Sequence, residues 1–580
     1  MPRPRWQLDE AGSPATVASA GGRYFGFVTG GSHPVALGAN WLAGAWDQNA
    51  ALPVMSPVAA RLHEVVTRWL AELLGLPAGS AAVFVTGASM ANTAAITAAR
   101  DHQLARAGWD VQASGLFGAP ELTVVVGENA HSTLIRALGM AGLGRERVCR
   151  VPADDQGRMR ADRLPSEVTG PVVICAQAGE VNTGAFDPFP DLIEWARERG
   201  AWVHVDGAFG LWTRADPSRS YLTSGLDGAD SWATDAHKWL KVPYDCGVVL
   251  VRRPEDLRRS FAAVAGYLPP DTAFEAMHHT PQSSQRVRQV EVWAVLRTLG
   301  RQGVADLIAR TCDHAQVMAA FLRGAGLEVL NDVVLNQVLV RAATDDLTLA
   351  LVAAVQRDGT CWCGPTTWQH RPAMRISVSG SATSADDIRK SAAAIIAAHR
   401  RGQGASSLMT DPLLQSGEGG GGVAAHPGPS SRSNGPDPPC TSALFTTRTR
   451  CAAAGSSKCS NVTTPSGTGH SLTHRRPGST AVMMKDPPRL PRCLAHPRAP
   501  GWNGPSSCAI SLLTSHSGQP ATSVHTFQTA SRSASNTASH SNKYMTVPRR
   551  SPAGTGTRRP CAGKPCTICT RNALRLLAMI

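Results

Sequence analysis

The sequence predicts an α/β protein: a large domain with a mostly parallel sheet covered by helices on both faces, a smaller α+β domain, and a disordered tail. Three observations lead there. Short apolar runs alternate with segments of helical period from AAVFVTG to GVVLVRR. Long amphipathic helical patterns take over near residue 289. Composition then breaks sharply near residue 404.

The elements follow in order. SPVAARLHEVVTRWLAELLGLP carries apolar residues at helical spacing and ends in a Gly/Pro stop. AAVFVTG reads as a strand that runs into a helix of small residues, ASMANTAAITAARDHQLARAG. LTVVVGENA, PVVICAQAG and AWVHVDGAFG read as further strands, with HSTLIRALGMAG and DLIEWARERG as helices between them. DSWATDAHKW and GVVLVRR flank a lysine, Lys238. Strand–helix alternation of this length calls for parallel pairing with helical crossovers. From residue 289, long helices lead to a strand (NQVLVRAA), a helix, two strands within CWCGPTTWQHRPAMRISVSG, and a closing helix.

The tail from residue 405 to 580 holds 19 Lys+Arg against 4 Asp+Glu, which leaves 38 and 39 for residues 1–404. The formal charge of +14 therefore belongs to the tail, and the near-neutral body suits small-molecule partners. No sustained period of 2 or 3.6 runs through the tail, so it offers no apolar face and is expected to stay disordered. Three readings stand for it: an Arg-rich arm for nucleic acid, a metal site at CTIC (Cys566, Cys569) that lacks a second ligand pair, or an out-of-frame extension never selected for folding. Its aperiodic mix of Arg, Pro, Ser, Thr, Gly and Cys fits the third best. No run of about 18 apolar residues exists, which argues against a transmembrane helix. The N-terminus lacks the apolar stretch of a secretory signal. The body's six cysteines are scattered, as expected of reduced cytoplasmic thiols. No residue set reads as a metal site in the body.

Four polar features lie just past strand ends, where open parallel sheets bind ligands. Ala88 and Ser89 open the helix of small residues, either as an anion cradle or as an ordinary cap. His131 stands at a strand-to-helix turn, as a functional ring or a cap. Asp206 ends an apolar strand, as a structural acceptor or the partner of a cation. Lys238 is either a desolvated nucleophile or a lysine whose head reaches water. Lys241, three residues on, is expected to reach solvent.

In this chain order the sequence resembles the group II pyridoxal-phosphate-dependent amino-acid decarboxylases, which include the aromatic-amino-acid and glutamate decarboxylases. The matching stretches include RYFGFVTGGSHPVALGANWLAGAWDQNAALPVMSP, VTGASMANTAAITAAR, NAHSTLIRA, GEVNTGAFDP, HVDGAFG, SWATDAHKWLKVPYDCG and MRISVSG, over residues 23–400. The resemblance implies the type I aspartate-aminotransferase-like fold with a seven-stranded sheet, pyridoxal 5'-phosphate as cofactor, and a homodimer with shared active sites. It implies a Schiff base on Lys238, Asp206 against the pyridine nitrogen, His131 over the ring and Ala208 beneath it. It also implies Ala88 and Ser89 at the phosphate with His237 close by, and Asn182 and Asp235 in the cofactor's surroundings. Arg375 would meet a substrate carboxylate or serve as a structural ion partner, and His33 and Trp46 are candidate pocket walls.

These matches divide the chain into an N-terminal remnant (1–22), a large cofactor-binding domain (23–288), a small α+β domain (289–404) and the basic tail (405–580). The expected reaction is loss of CO2 from an L-amino acid, in the cytoplasm, with no membrane and no nucleic-acid partner beyond the tail. Three departures from the family's pattern stand out. The segment before residue 23 is short, the loop region 266–289 carries only Tyr267 as a tyrosine (with His278 and His279 as substitutes), and Lys241 replaces a frequent asparagine. Transamination, aldol cleavage, decarboxylation-dependent oxidative deamination and an inactive homologue remain as alternatives on the same fold.

Overall fold

The structure, a computed structural model, describes residues 9–409 apart from 264, 267 and 269–273. Tyr267, the CTIC motif and the tail beyond residue 409 lie outside the described residues. The large domain is built on seven strands: β1 (Ala81–Val85), β2 (Thr123–Gly127), β3 (Cys149–Val151), β4 (Val172–Gln177), β5 (Trp202–Asp206), β6 (Ser231–Asp235) and β7 (Gly247–Val251). Their order is β1-β7-β6-β5-β4-β2-β3. Strand β7 runs against both its neighbours, β1 and β6, and the other pairs are parallel. The exception has a simple cause. The β6–β7 connection, which carries Lys238, holds no crossover helix, and a chain that turns straight back pairs antiparallel.

Every residue of β1, β4, β5, β6 and β7 is buried, the pattern of a sheet covered on both faces. Around it lie α1 (Pro34–Trp46), α2 (Pro57–Leu73), α3 (Ala88–Arg106), α4 (Ser132–Met140), α5 (Phe189–Arg199) and α6 (Pro254–Phe261). Helix α3 is the one that matters most for the site. Its alanines 91, 94, 95 and 98 pack on Val83, Val85, Ala233 and Val249, while Ile96 and Ala99 pack on Val124, Val126 and Trp202. Small side chains let the helix lie close across the sheet centre. Gly247 serves the same approach, because a Cβ there would collide with the backbone of Gly87 just before α3.

Helix α7 (Gln289–Gly324) bends at Gly300, which adopts the left-handed φ of 61°. Before the bend, Val292, Val295 and Leu296 join the large domain's core, and after it Met318, Ala319 and Leu322 join the small domain's core. The small domain adds β8 (Glu328–Val329), β9 (Gln337–Arg341), α8 (Asp345–Asp358), β10 (Gly364–Trp368), β11 (Arg371–Ser377) and α9 (Ala385–Met409). Its strands form an antiparallel sheet in the order β10-β11-β9-β8. Helix α9 continues past residue 404, so the first residues counted with the tail are helical. Residues 23–25 also join this domain. Phe25 is buried in its core, and backbone bonds tie Arg23 and Phe25 to Trp362.

Candidate active site

The carboxyl ends of β4, β5 and β6 and the start of α3 converge on one place. Asp206 ends β5 and is only 3% exposed. Its Oδ2 accepts a hydrogen bond from Asn92 Nδ2 at 2.9 Å and its Oδ1 accepts one from the Ala208 N–H at 3.2 Å. Both donors are neutral, so this buried carboxylate keeps its capacity for a cationic N–H.

Asp235 ends β6 and bridges two further elements. Its Oδ2 lies 3.0 Å from Lys238 Nζ, and its Oδ1 accepts the Ala88 N–H at 2.6 Å. The Lys238 side chain is about one-fifth exposed, at 22%. It lies in the β6–β7 connection, between buried strands, with its head paired to Asp235.

His131 caps α4: its Nδ1 faces the Thr133 N–H and hydroxyl, and its backbone N–H donates to Gln177 Oε1 at 3.2 Å. Burial lowers its pKa, with Asp206 and Asp235 opposing the shift and Lys238 and Arg375 adding to it. The ring caps the helix and at the same time sits in the electrostatic field of Asp206, Asp235, Lys238 and Arg375. His237 Nδ1 accepts the Cys246 N–H at 3.2 Å, which leaves the proton of the neutral ring on Nε2, 3.5 Å from Asp235 Oδ1. Its ring packs against Tyr244 at 4.5 Å.

Arg375, on β11, donates to the Val181 carbonyl at 3.2 Å. Burial lowers its pKa, and the nearby Glu180 opposes that. Glu180 is itself buried, and burial raises its pKa against four hydrogen bonds from Asn182 and Thr183. Asn182 is committed within the protein: its amide donates to Glu180 and its oxygen accepts from Thr366 of β10. Ala88 is buried and Ser89 half-buried at the first turn of α3. Ala208 is half-buried between Asp206 and Asp235, and its carbonyl accepts the Asp235 N–H.

The two wall candidates fall elsewhere. His33 caps α1, with its N–H bonded to the Lys241 carbonyl. Trp46 packs into a cluster with Ala39, Ala43, Ala50 and Val290. His278 and His279 are both buried within their own segment, bonded to Glu275. Lys241 corrects an expectation. It does not reach solvent but is 0% exposed, and among the described residues its Nζ meets the Thr29 carbonyl, at 3.4 Å. Residues 29–33 fold over it, a long-range contact that its local sequence does not encode.

Several residues escaped the sequence reading. Asn92 lies one turn into α3 from Ala88, and His204 lies two residues before Asp206 on the same strand face; helical and strand periods point to both. Gln177, Glu180 and Tyr244 carry no such signal.

The site suits pyridoxal phosphate. An amine stands ready at Lys238, a buried carboxylate at Asp206 has only neutral donors among the described residues, and a helix N-terminus with a hydroxyl opens at Ser89 for an anion.

The pyridoxal-dependent decarboxylase conserved domain matches residues 17–342. An aromatic-L-amino-acid decarboxylase of Bacillus atrophaeus is 25% identical over 387 residues, covering 63% of this chain and 78% of that protein. An L-2,4-diaminobutyrate decarboxylase of Rhizobium meliloti is 28% identical over 366 residues, covering 60% and 70%. Among solved structures, Oryza sativa TDC with PLP and tryptamine superposes with a TM-score of 0.65 at 23% identity, over 69% of this chain and 87% of that one. Mouse CSAD in apo form gives 0.64 at 22%, over 69% and 89%. At these identities the superpositions speak for the fold.

Proposed function

The chain belongs to the pyridoxal-dependent decarboxylase family, and on that premise we propose that Lys238 is the amine that anchors the cofactor covalently and Asp206 the acceptor of its ring N–H. The protein is a pyridoxal-phosphate-dependent amino-acid decarboxylase. The observation that carries the residue assignment is the geometry at Asp235, which pairs with Lys238 on one oxygen and with the first turn of α3 on the other. Amine and helix start are thereby tied to one buried carboxylate.

Bound pyridoxal phosphate supplies an electron sink for the bonding pair left when the substrate's carboxylate departs as CO2. The chain's own residues do the rest. Asp206 holds the ring nitrogen protonated. His131 would cover one ring face and Ala208 the other. Ser89 and the small Ala88 at the start of α3, with His237 close by, would hold the phosphate, and Asn182 and Asp235 would steady the surroundings. Arg375 offers its free guanidinium donors to a substrate carboxylate, and its charge is balanced by Glu180.

The same reading includes a homodimer in the cytoplasm. Leu37 and Trp41, four apart on α1, and Val54, Met55 and Val58 at the entry to α2 are exposed apolar side chains. Such a group needs a partner, and a second copy is the occupant we assign. His33 and Trp46 lie on or beside the same helix, so pocket walls shared between subunits fit this arrangement. No helix among the described residues is long and apolar enough to cross a membrane.

Release of labelled CO2 from carboxyl-labelled amino acids by the full chain tests the reading. We expect release from at least one amino acid, lost in Asp206→Asn although borohydride still traps the cofactor on Lys238. Conversion of a keto acid without CO2 release points to transamination instead.

A further inference from the structure

Behind Asp206 runs a row of buried polar groups that the proposed chemistry does not use. Trp202, His204 and Asp206 alternate along β5 and so face the same side of the sheet. Ser231, on β6, is the register partner of His204, and Asn92 reaches down from α3. Trp202 Nε1 donates to Ser231 Oγ at 2.9 Å, and Ser231 Oγ meets His204 Nδ1 at 2.9 Å. His204 Nε2 meets Asn92 Oδ1 at 2.9 Å, and Asn92 Nδ2 reaches Asp206 Oδ2 at 2.9 Å. Asn92, His204 and Ser231 are all 0% exposed.

Donor and acceptor rules fix the direction of every link. Indole N–H only donates, and an ionised carboxylate only accepts. Asp206 therefore demands the amide nitrogen of Asn92, which turns the Asn92 oxygen toward His204. That oxygen requires a proton on Nε2. Burial holds the imidazole neutral, with its pKa lowered to about 3. A neutral ring protonated at Nε2 accepts at Nδ1, so Ser231 donates to it while accepting from Trp202. All four bonds then point the same way, with their positive ends toward Asp206. Reversing any one leaves two donors or two acceptors face to face in a water-free interior.

We propose that Trp202, Ser231, His204 and Asn92 form a one-way chain of hydrogen bonds that keeps the Asp206 carboxylate aimed at the site, which makes Asn92 and His204 positioning residues for the decarboxylation. This rests on the assignment of Asp206 to the cofactor's ring nitrogen. The physical effect is specific. The chain supplies a donor whose orientation is locked, so the second lone pairs of the carboxylate stay turned toward the site. His204 acts through Asn92 and touches neither substrate nor cofactor.

The chain can be tested with and without the cofactor. In the apoprotein, imidazole nitrogen-15 NMR of His204 should show a neutral ring protonated at Nε2 that does not titrate between about pH 5.5 and 8.5. A ring protonated at Nδ1, or one that titrates near the ordinary histidine value, overturns the proposal. In the second arm, Asn92→Leu should weaken pyridoxal phosphate affinity, read by tryptophan fluorescence, by roughly tenfold or more. It should also lower kcat more than it raises KM. His204→Gln places an amide nitrogen near the Nε2 position, so it should stay within about threefold of the parent, whereas His204→Leu should fall with Asn92→Leu. A folded Asn92→Leu with parental affinity also overturns the proposal. If the leucine variants do not fold, the spectrum of the unaltered apoprotein decides. A parent chain that binds no cofactor refutes the functional reading, while the His204 spectrum still reports on the chain.

Discussion

Lys238 Nζ lies 3.0 Å from Asp235 Oδ2, and the other oxygen of the same carboxylate holds the Ala88 N–H at 2.6 Å. One side chain thus couples the proposed anchor to the proposed phosphate turn. Lys238 is placed in a β6–β7 connection whose flanking strands are fixed by the sheet, so the amine is held without a helix of its own.

Lys238→Ala should abolish the visible absorbance of the bound cofactor and lower CO2 release by about three orders of magnitude or more. Asp235→Asn should keep the covalent link but weaken cofactor binding, because an amide oriented to accept from Ala88 turns its NH2 toward the Lys238 ammonium. Absorbance titration of both apoproteins checks this. An Asp235→Asn affinity equal to that of the parent contradicts the coupling.

Among the described residues, Arg375 donates to the carbonyl of Val181 and has a buried acid, Glu180, in its field. A guanidinium carries five donors, so several remain for a ligand. Arg375→Lys keeps the charge but loses the planar fork, and should raise KM for the amino acid roughly tenfold while kcat changes less. Steady-state CO2 release measures both. An unchanged KM leaves Arg375 as a structural partner of Glu180.

Much of this site can be read in the sequence because its parts sit at ends of elements. Strands β1 and β7 are unbroken apolar runs and β4 and β5 are mostly apolar, and the acids that end β5 and β6 are visible: Asp206 after HV, and Asp235 before AHK. Strands β3 and β8 are three and two residues long, too short for any period to register. The bend in α7 was hidden because Gly300 interrupts a pattern that is apolar on both sides. Lys238 and Lys241 look alike in KWLK. What separates them is the fold of residues 29–33 over the second lysine, a contact spanning some 210 positions that no local pattern carries.

Trp41 projects from α1 at 62% exposure, with Leu37 one turn before it. If this face meets a second copy, Trp41→Asp buries a carboxylate in an apolar interface and should split the dimer. Light scattering should fall from the mass of two 61.0 kDa chains to that of one. A dimer that persists moves the interface to another face.

Lys241 makes the sharpest stability prediction. Burial lowers its pKa from 10.5 to about 7. Above both values the amine is neutral in the folded and unfolded chain, and no cost arises. Below both it is charged in each state, and the folded chain bears the whole cost of a buried ammonium with one carbonyl partner. Between about pH 7 and 10.5 the unfolded chain binds more protons, so this group makes stability rise with pH. The gap corresponds to a cost on the order of several kcal/mol at the acid end. Lys241→Met, similar in length and uncharged, should therefore stabilise the protein by a few kcal/mol near about pH 6.5 and by little near about pH 10. Urea unfolding of both proteins at the two pH values isolates the difference, since the other titrating groups are common to both. A gain independent of pH means the ammonium is not desolvated, and a loss at both means its bond to Thr29 holds residues 29–33 in place.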